Sequence, residues 1–208
     1  MRKIIAALQV SVDGFIQGRN GELDWVETWE DQFDLSHQID TCLLGAGMYP
    51  GYEQYWRGIL ANPGGVLPFT GRVATPGEIE YAHLADRTPH FVLSTTLQSV
   101  DWAVARIIRS VDEIRVMKQQ PGKDIHAVGG ATLISSLMNM ELVDEIRLVM
   151  HPLVLGGGKA LFKDVDARHA LELTDVERIA SGPVRLTYRR RYAAASPSPE
   201  DRAIALDQ

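Results

Sequence analysis

The chain has 208 residues, 45% of them hydrophobic, and 21 Lys and Arg against 27 Asp and Glu, for a formal net charge of −6. That length suffices for one substantial domain with its own core. The sequence shows neither the basic footprint of a nucleic-acid binder nor an apolar run long enough to cross a bilayer.

The segment Met1–Val10 reads as a first strand over residues 3–10. Its apolar run is too short for a leader sequence, and Gln9, Ser11 and Asp13 interrupt or follow it. Ser11 to Asp24, rich in Gly, Asp and Asn, reads as a long loop. Trp25 to Ile39 carries apolar residues at Val26, Trp29, Phe33 and Leu35, spacing compatible with a helix. Thr41 to Gly45 reads as a short strand containing the single cysteine, Cys42, which excludes an internal disulfide and fits a reducing, cytoplasmic setting. Met48 to Leu60 reads as a helix whose start is disturbed by Pro50 and Gly51, and residues 61–77 as a loop placed to lie over a site.

His90 to Ser94 is the next strand, and Ile107 and Ile108 belong to a short one. Ser110 with Glu113 forms a capping-box pattern at a helix start. Ile125 to Val128 reads as a buried strand, broken by Gly129-Gly130 and followed by the helical pattern of Leu133, Ile134, Leu137, Met138 and Leu142. Glu145 to His151 is a strand, with Pro152–Leu155 continuing extended to a bend at Gly156-Gly-Gly158. Leu171–Ala180 and Val184–Tyr192 form an antiparallel hairpin about Ser181-Gly-Pro183. Strands alternate with helices first and antiparallel strands finish the sheet, so the expected architecture is α/β, with a mostly parallel central sheet and antiparallel C-terminal edge strands. Residues 1–192 are expected to form one domain, and 193–208, from their composition, a disordered tail.

The strand–Gly-Gly–helix unit is the strongest chemical signal. Free N–H groups at a helix start favour phosphate, and two glycines let the backbone approach it. Gly45 and Ser94-Thr95-Thr96 also close strands. Side by side, these three strand ends would form one cleft for an extended, multi-phosphate ligand. Asp13 stands just past the first strand, where open α/β sheets bind ligands, and could orient a polar substrate. The six histidines show no metal-ligand spacing on one helix face. Gly156-Gly-Gly-Lys159 lacks the spacing and hydroxyl of a nucleotide-binding loop, and a Gly-x-Gly-x-x-Gly fingerprint is missing.

Several collinear segments resemble the dihydrofolate-reductase-like superfamily, in the branch of the riboflavin-biosynthesis reductase domain. They are Ser11-Val-Asp-Gly-Phe-Ile16 with Gly21–Trp25; Leu44-Gly45 with Tyr49, Gly51 and Trp56; Val92-Leu-Ser94; Val128-Gly-Gly-Ala-Thr-Leu133; and Leu142–Ile146 with Pro152, Leu155-Gly156, Gly158 and Leu161-Phe162. The resemblance implies a three-layer dihydrofolate-reductase-like fold, NADPH as hydride donor with NADH as the alternative, and a homodimer. By position, it implies that Gly45, Ala46, Ser94, Thr95, Gly129, Gly130, Ala131 and Thr132 meet the cofactor. Val10, Asp13 and Tyr49 would meet the substrate, with Asp13 and then Tyr49 as catalytic candidates.

The expected function is an NAD(P)H-dependent reductase of a small heterocyclic or carbonyl substrate. The alternatives are the riboflavin-pathway 5-amino-6-(5-phosphoribosylamino)uracil reductase and a non-catalytic binding or scaffold protein on the same fold. The chain departs from the branch's pattern in carrying Ala46 and Thr95 where arginines are usual, Pro50 for an acid, Phe15 for a lysine and Val128 for a glutamate. Arg72, Arg87 and Arg106 remain as cations to meet a 2′-phosphate. No metal, nucleic acid or membrane enters this reading.

Overall fold

A computed structural model describes residues 1–26, 32–68 and 70–191. The first strand, β1 (Ile4–Ser11), is buried throughout, and its side chains divide by the two-residue period of a strand. Ile5 and Ala7 enter one core, while Ile4, Ala6, Leu8 and Val10 enter the other. A strand buried on both faces belongs at the centre of a doubly covered sheet.

In chain order the further elements are β2 (Phe15–Gln17), β3 (Ile39–Gly45), α1 (Tyr49–Ala61), α2 (Pro76–Ala85), β4 (His90–Leu93), β5 (Ala105–Ile108), α3 (Val111–Gln119), β6 (Asp124–Gly129), α4 (Ala131–Asn139), β7 (Glu145–His151), β8 (Lys159–Ala160), β9 (Leu171–Arg178) and β10 (Val184–Arg190). Eight strands form one sheet in the order β5-β4-β3-β6-β1-β7-β10-β9. The pairings from β5 to β7 are parallel. Those of β10 with β7 and with β9 are antiparallel, as the alternating pattern implied. On one face Tyr52, Trp56 and Ile59 of α1 and Ala82 and Ala85 of α2 pack with Ile5, Cys42, Leu44 and Val92. On the other, Ile114 of α3 and Ile134 and Leu137 of α4 pack with Ile4, Ala6, Leu43 and Ile125. The result is three layers.

Five expectations need correction. The proposed helix over 25–39 is not found in the described residues on either side of 27–31: Trp25 and residues 32–38 are in turns or irregular backbone, and residues 27–31 lie outside the described residues. The cause is Arg147. This buried β7 side chain donates from Nη1 to the carbonyls of Phe33 and Asp34, both at 2.7 Å, and from Nη2 to Gln38. Those carbonyls therefore serve a side chain rather than a helix, and Asp34 takes the left-handed conformation, φ 53°. Pro76-Gly77, read as loop, open α2. Proline suits the first turn, and Thr75 with Glu78 forms a complete capping box. Within the expected loop at 11–24, β2 pairs antiparallel with β8. The helix begun at Gly130 stops at Asn139, short of Leu142. Pro50 does not disturb α1, because it too falls in the first turn. The tail assigned to 193–208 lies outside the described residues.

Candidate active site

Strands β3 and β6 are neighbours, yet α1 leaves β3 toward one face of the sheet and α4 leaves β6 toward the other. Such a divergence opens a crevice at the carboxyl ends of the strands. Two adjoining cavities lie there, of about 390 and about 370 Å³. Both are lined by Gly47, Met48, Gly130 and Lys159, which therefore form a common waist.

The second cavity is the more polar of the two. Gly45, Ala46, Ser94, Thr95, Gly130 and Thr132, all expected from the sequence, line it, together with Thr96, Ser136 and Lys159. No carboxylate lines it among the described residues. Helix α4 enters with Gly130 as N-cap, no side-chain cap and no acid in its first turn, and α1 enters the crevice equally uncapped behind Met48. By contrast, α2 and α3 close their first turns with capping boxes containing Glu78 and Glu113. An open helix start, hydroxyls and an ammonium form a donor set that suits a phosphorylated ligand.

Gly129 and Ala131 support this cavity without lining it. Gly129 sits at φ 131°, and a Cβ there would come within 3.2 Å of both Leu8 Cδ2 and Met48 Sδ. Only glycine fits this close approach of β6 to β1 and α1. The peptide bond between Gly129 and Gly130 is cis. Ala131 is fully buried at the start of α4.

The first cavity is mostly apolar and aromatic. Leu8, Ile16, Leu23, Phe33, Tyr52 and Trp56 form much of its wall. Tyr52 and Trp56 contact edge to face at 6.0 Å, and Tyr55 and Trp56 at 5.0 Å. The Tyr55 hydroxyl donates to Glu78 Oε1 at 2.5 Å. Burial, and then this hydrogen bond, hold the Tyr55 phenol well above its ordinary range. Glu78 is fully buried and also accepts a bidentate Arg72 pair at 2.9 and 3.1 Å and the Thr75 amide at 2.7 Å. The wall is therefore braced by an ion pair that uses Arg72. Among the polar lining groups is Gln9, whose Oε1 accepts from His151 Nε2 at 2.6 Å in a buried contact.

Val10, Asp13 and Tyr49 do not line either cavity. Val10 points into the second core. Tyr49 is buried, and its hydroxyl accepts from the Trp102 amide at 3.4 Å. Burial, and then Glu53, raise its phenol far above the ordinary value. Asp13 is exposed, and its carboxylate accepts from Ser11 Oγ at 2.6 Å, Gly156 N at 2.8 Å and Leu155 N at 3.2 Å. The Ser11 hydroxyl above all, then the two amides, hold the Asp13 carboxyl below its usual value. It ties the β1 end to the chain leaving β7.

Sequence reasoning missed Gln9, Tyr52, Tyr55 and Lys159. The first three stand one or three positions from residues that were singled out, on the same strand or helix. Lys159 follows the Gly156-Gly-Gly158 bend, and its place at the waist depends on a long-range pairing with β2. Among the described residues no group of three or more His, Cys, Asp or Glu is placed to hold a metal, and no helix is long and apolar enough to cross a membrane.

The family model described as the RibD C-terminal domain matches residues 2–184. Uncharacterized protein YyaP of Bacillus subtilis (strain 168) is 38% identical over 190 residues, 90% of this chain and 94% of that protein. In fold, the chain is similar to a putative riboflavin biosynthesis protein from Shewanella sp. PV-4, with TM-score 0.66, 20% identity, and coverage of 91% of this chain and 99% of the other. It is also similar to the dihydrofolate reductase from Enterococcus faecalis complexed with NADP(H), with TM-score 0.56, 18% identity, and coverage of 91% and 97%.

Proposed function

The chain belongs to the RibD C-terminal domain family, and from that premise we propose that it is a nicotinamide-dependent reductase of a small, uncharged heterocyclic or carbonyl substrate. One observation carries the reading: a cavity lined by hydroxyls, an ammonium and an uncapped helix start opens at a four-residue waist onto an apolar, aromatic one. A dinucleotide needs the first, a flat acceptor needs the second, and hydride transfer needs them to touch.

When bound, NADPH or NADH supplies the hydride. The protein's residues do the rest. The α4 start, Thr132 and the Ser94–Thr96 turn hold the diphosphate half. Gly45 and Gly130 let that half approach the backbone. Ala7, Leu8 and Val128 line the apolar cavity that would take the ring, and Tyr52, Tyr55 and Trp56 wall the acceptor and exclude water. Gln9, oriented by His151, offers its amide to a carbonyl or ring heteroatom. Asp13 serves as a positioning residue for the strand beside the waist, and Tyr49 as a packing residue beneath α1.

The riboflavin-pathway alternative has a phosphorylated substrate. Away from Lys159 at the waist, the described lining of the first cavity carries no cation to meet a substrate phosphate, which favours an uncharged acceptor. A homodimer through the antiparallel edge belongs to the same proposal, since Leu173 and Val176 of β9 are exposed there. Sedimentation of the purified protein tests that part.

Calorimetric titration with NADPH and NADH tests the cofactor assignment. We expect saturable binding of at least one of them at one site per chain. Binding of neither would move the non-catalytic scaffold reading to first place.

A further inference from the structure

The glycine run that precedes Lys159 has no part in the reading above, and the structure gives it one. Leaving β7, the chain meets a clamp at Gly156. Asp13 accepts its N–H at 2.8 Å, and Arg19 Nη2 donates to its carbonyl at 2.6 Å. Gly157 and Gly158 follow at φ 157° and 135°. A Cβ on Gly157 would run into the Arg19 guanidinium, and one on Gly158 would lie on the Gln17 carbonyl oxygen. The Gly158 collision is with backbone, so it cannot be relieved by a side-chain rotation. The strap is thus pressed flat on β2, with Lys159 in register opposite Gln17, and the Leu161 amide closes it by donating to Gly14 O at 3.1 Å.

This construction delivers one side chain to the waist. Lys159 lines both cavities, and its Nζ lies 3.8 Å from where a Cβ on Gly130 would stand. Three other cations of the surrounding elements are engaged. Arg72 pairs with Glu78, Arg19 donates to Gly156, and Arg109 donates to the Ser94 carbonyl at 2.9 Å. The Lys159 ammonium makes no hydrogen bond or ion pair with the described residues. It stands at the end of the polar cavity shared with the apolar one, whereas Ala46 and Thr95, which replace the branch's arginines, line the polar cavity alone.

Resting on the reductase reading above, we propose that Lys159 is the cation of the cofactor diphosphate, set over the α4 start by the clamped triple-glycine strap. Its charge therefore falls on the part that NADH and NADPH share. Lys159 lowers the dissociation constants of both and does not discriminate between them.

The test is calorimetric titration of the full chain, as Lys159→Met, Lys159→Arg and Asp13→Ala, with NADPH and with NADH at two salt concentrations. Lys159→Met is expected to weaken both cofactors about tenfold or more, by a common factor, with a shallower dependence of affinity on salt. Lys159→Arg is expected to restore most of the loss, and Asp13→Ala to move both affinities in the same direction as Lys159→Met through a loosened strap. The exposed position of Lys159 keeps its variants folded, and an unchanged urea midpoint verifies this. Affinities within twofold of wild type for Lys159→Met would overturn the proposal. So would a loss confined to NADPH, which would put Lys159 at the 2′-phosphate. If the wild type binds neither cofactor, the reductase reading fails and this proposal with it. If the wild type binds and Lys159→Met is silent, the proposal alone fails.

Discussion

Acidification should unfold this protein partly through His90. The ring is fully buried beside the aromatic wall, stacked on Trp102 at 4.7 Å. Its Nδ1 lies 2.6 Å from the Thr88 carbonyl, which can only accept, so Nδ1 carries the proton. Nε2 then accepts from the Tyr52 hydroxyl at 3.3 Å, and that hydroxyl lies 3.0 Å from the Tyr81 hydroxyl. A second proton on Nε2 would face a donor in a dry site. Burial accordingly pushes the His90 pKa down to about 4 from an ordinary 6.5. The folded state therefore disfavours the charged ring. Stability is full above the unfolded pKa and is lost as pH falls from 6.5 toward 4, where the unfolded chain binds the extra proton and the folded one does not. The interval implies a loss of about 2 kcal/mol by pH 5 and about 3 kcal/mol by pH 4, a large share of an ordinary domain's stability. Urea denaturation at half-unit steps from pH 7.5 to 4.5, on wild type and His90→Asn, isolates the effect from other titrating groups. The variant is expected to be less stable at pH 7.5 and to lose less on acidification, so the curves converge. Parallel curves would refute the assignment of the neutral, buried ring.

Three other perturbations bear on the same crevice. Glu78→Ala leaves the Tyr55 hydroxyl and the Thr75 amide without their acceptor, while the partly exposed Arg72 can turn to solvent; it should cost about 1–3 kcal/mol in urea denaturation, while Glu78→Gln, which keeps some of the hydrogen bonds, should cost less. Gly129→Ala forces a Cβ into a left-handed position with two 3.2 Å contacts, so we expect a loss of about 1–3 kcal/mol together with weakened cofactor binding. Cys42, fully buried with its thiol pushed up to about 12 by burial, should resist iodoacetamide in the native protein at pH 8 and react only after unfolding.

Much of the fold was legible because it rests on local periodicity. β1, β3, β4 and β6 are short apolar runs ended by small or hydroxyl residues, and the 171–192 hairpin shows its turn and alternation. What failed depended on distant partners. The turns at 32–38 are set by an arginine more than a hundred residues away, and β2 and β8 exist only through each other. α2 was hidden because Pro76-Gly77 resembles a turn, although Thr75 and Glu78 already spelled a helix start. In the crevice, the strand-end residues were legible from the glycine and hydroxyl pattern. The aromatic wall of α1 was less so, because Tyr49, Tyr52, Tyr55 and Trp56 are close in sequence, yet Tyr49 alone of the four lies outside the cavity lining. Asp13 shows the limit of reading a carboxylate at a strand end. Position suggested a substrate contact, and the geometry shows its oxygens bonded to Ser11, Leu155 and Gly156.

A crystal structure of the protein with NADP+ bound would show whether one crevice joins a dinucleotide seat to an acceptor pocket. The diphosphate should lie at the α4 start within hydrogen-bond distance of Thr132, and the nicotinamide ring at the waist with one face open to the aromatic cavity. A cofactor bound elsewhere, or one whose ring is shut off from the cavity walled by Tyr52, Tyr55 and Trp56, would contradict this arrangement.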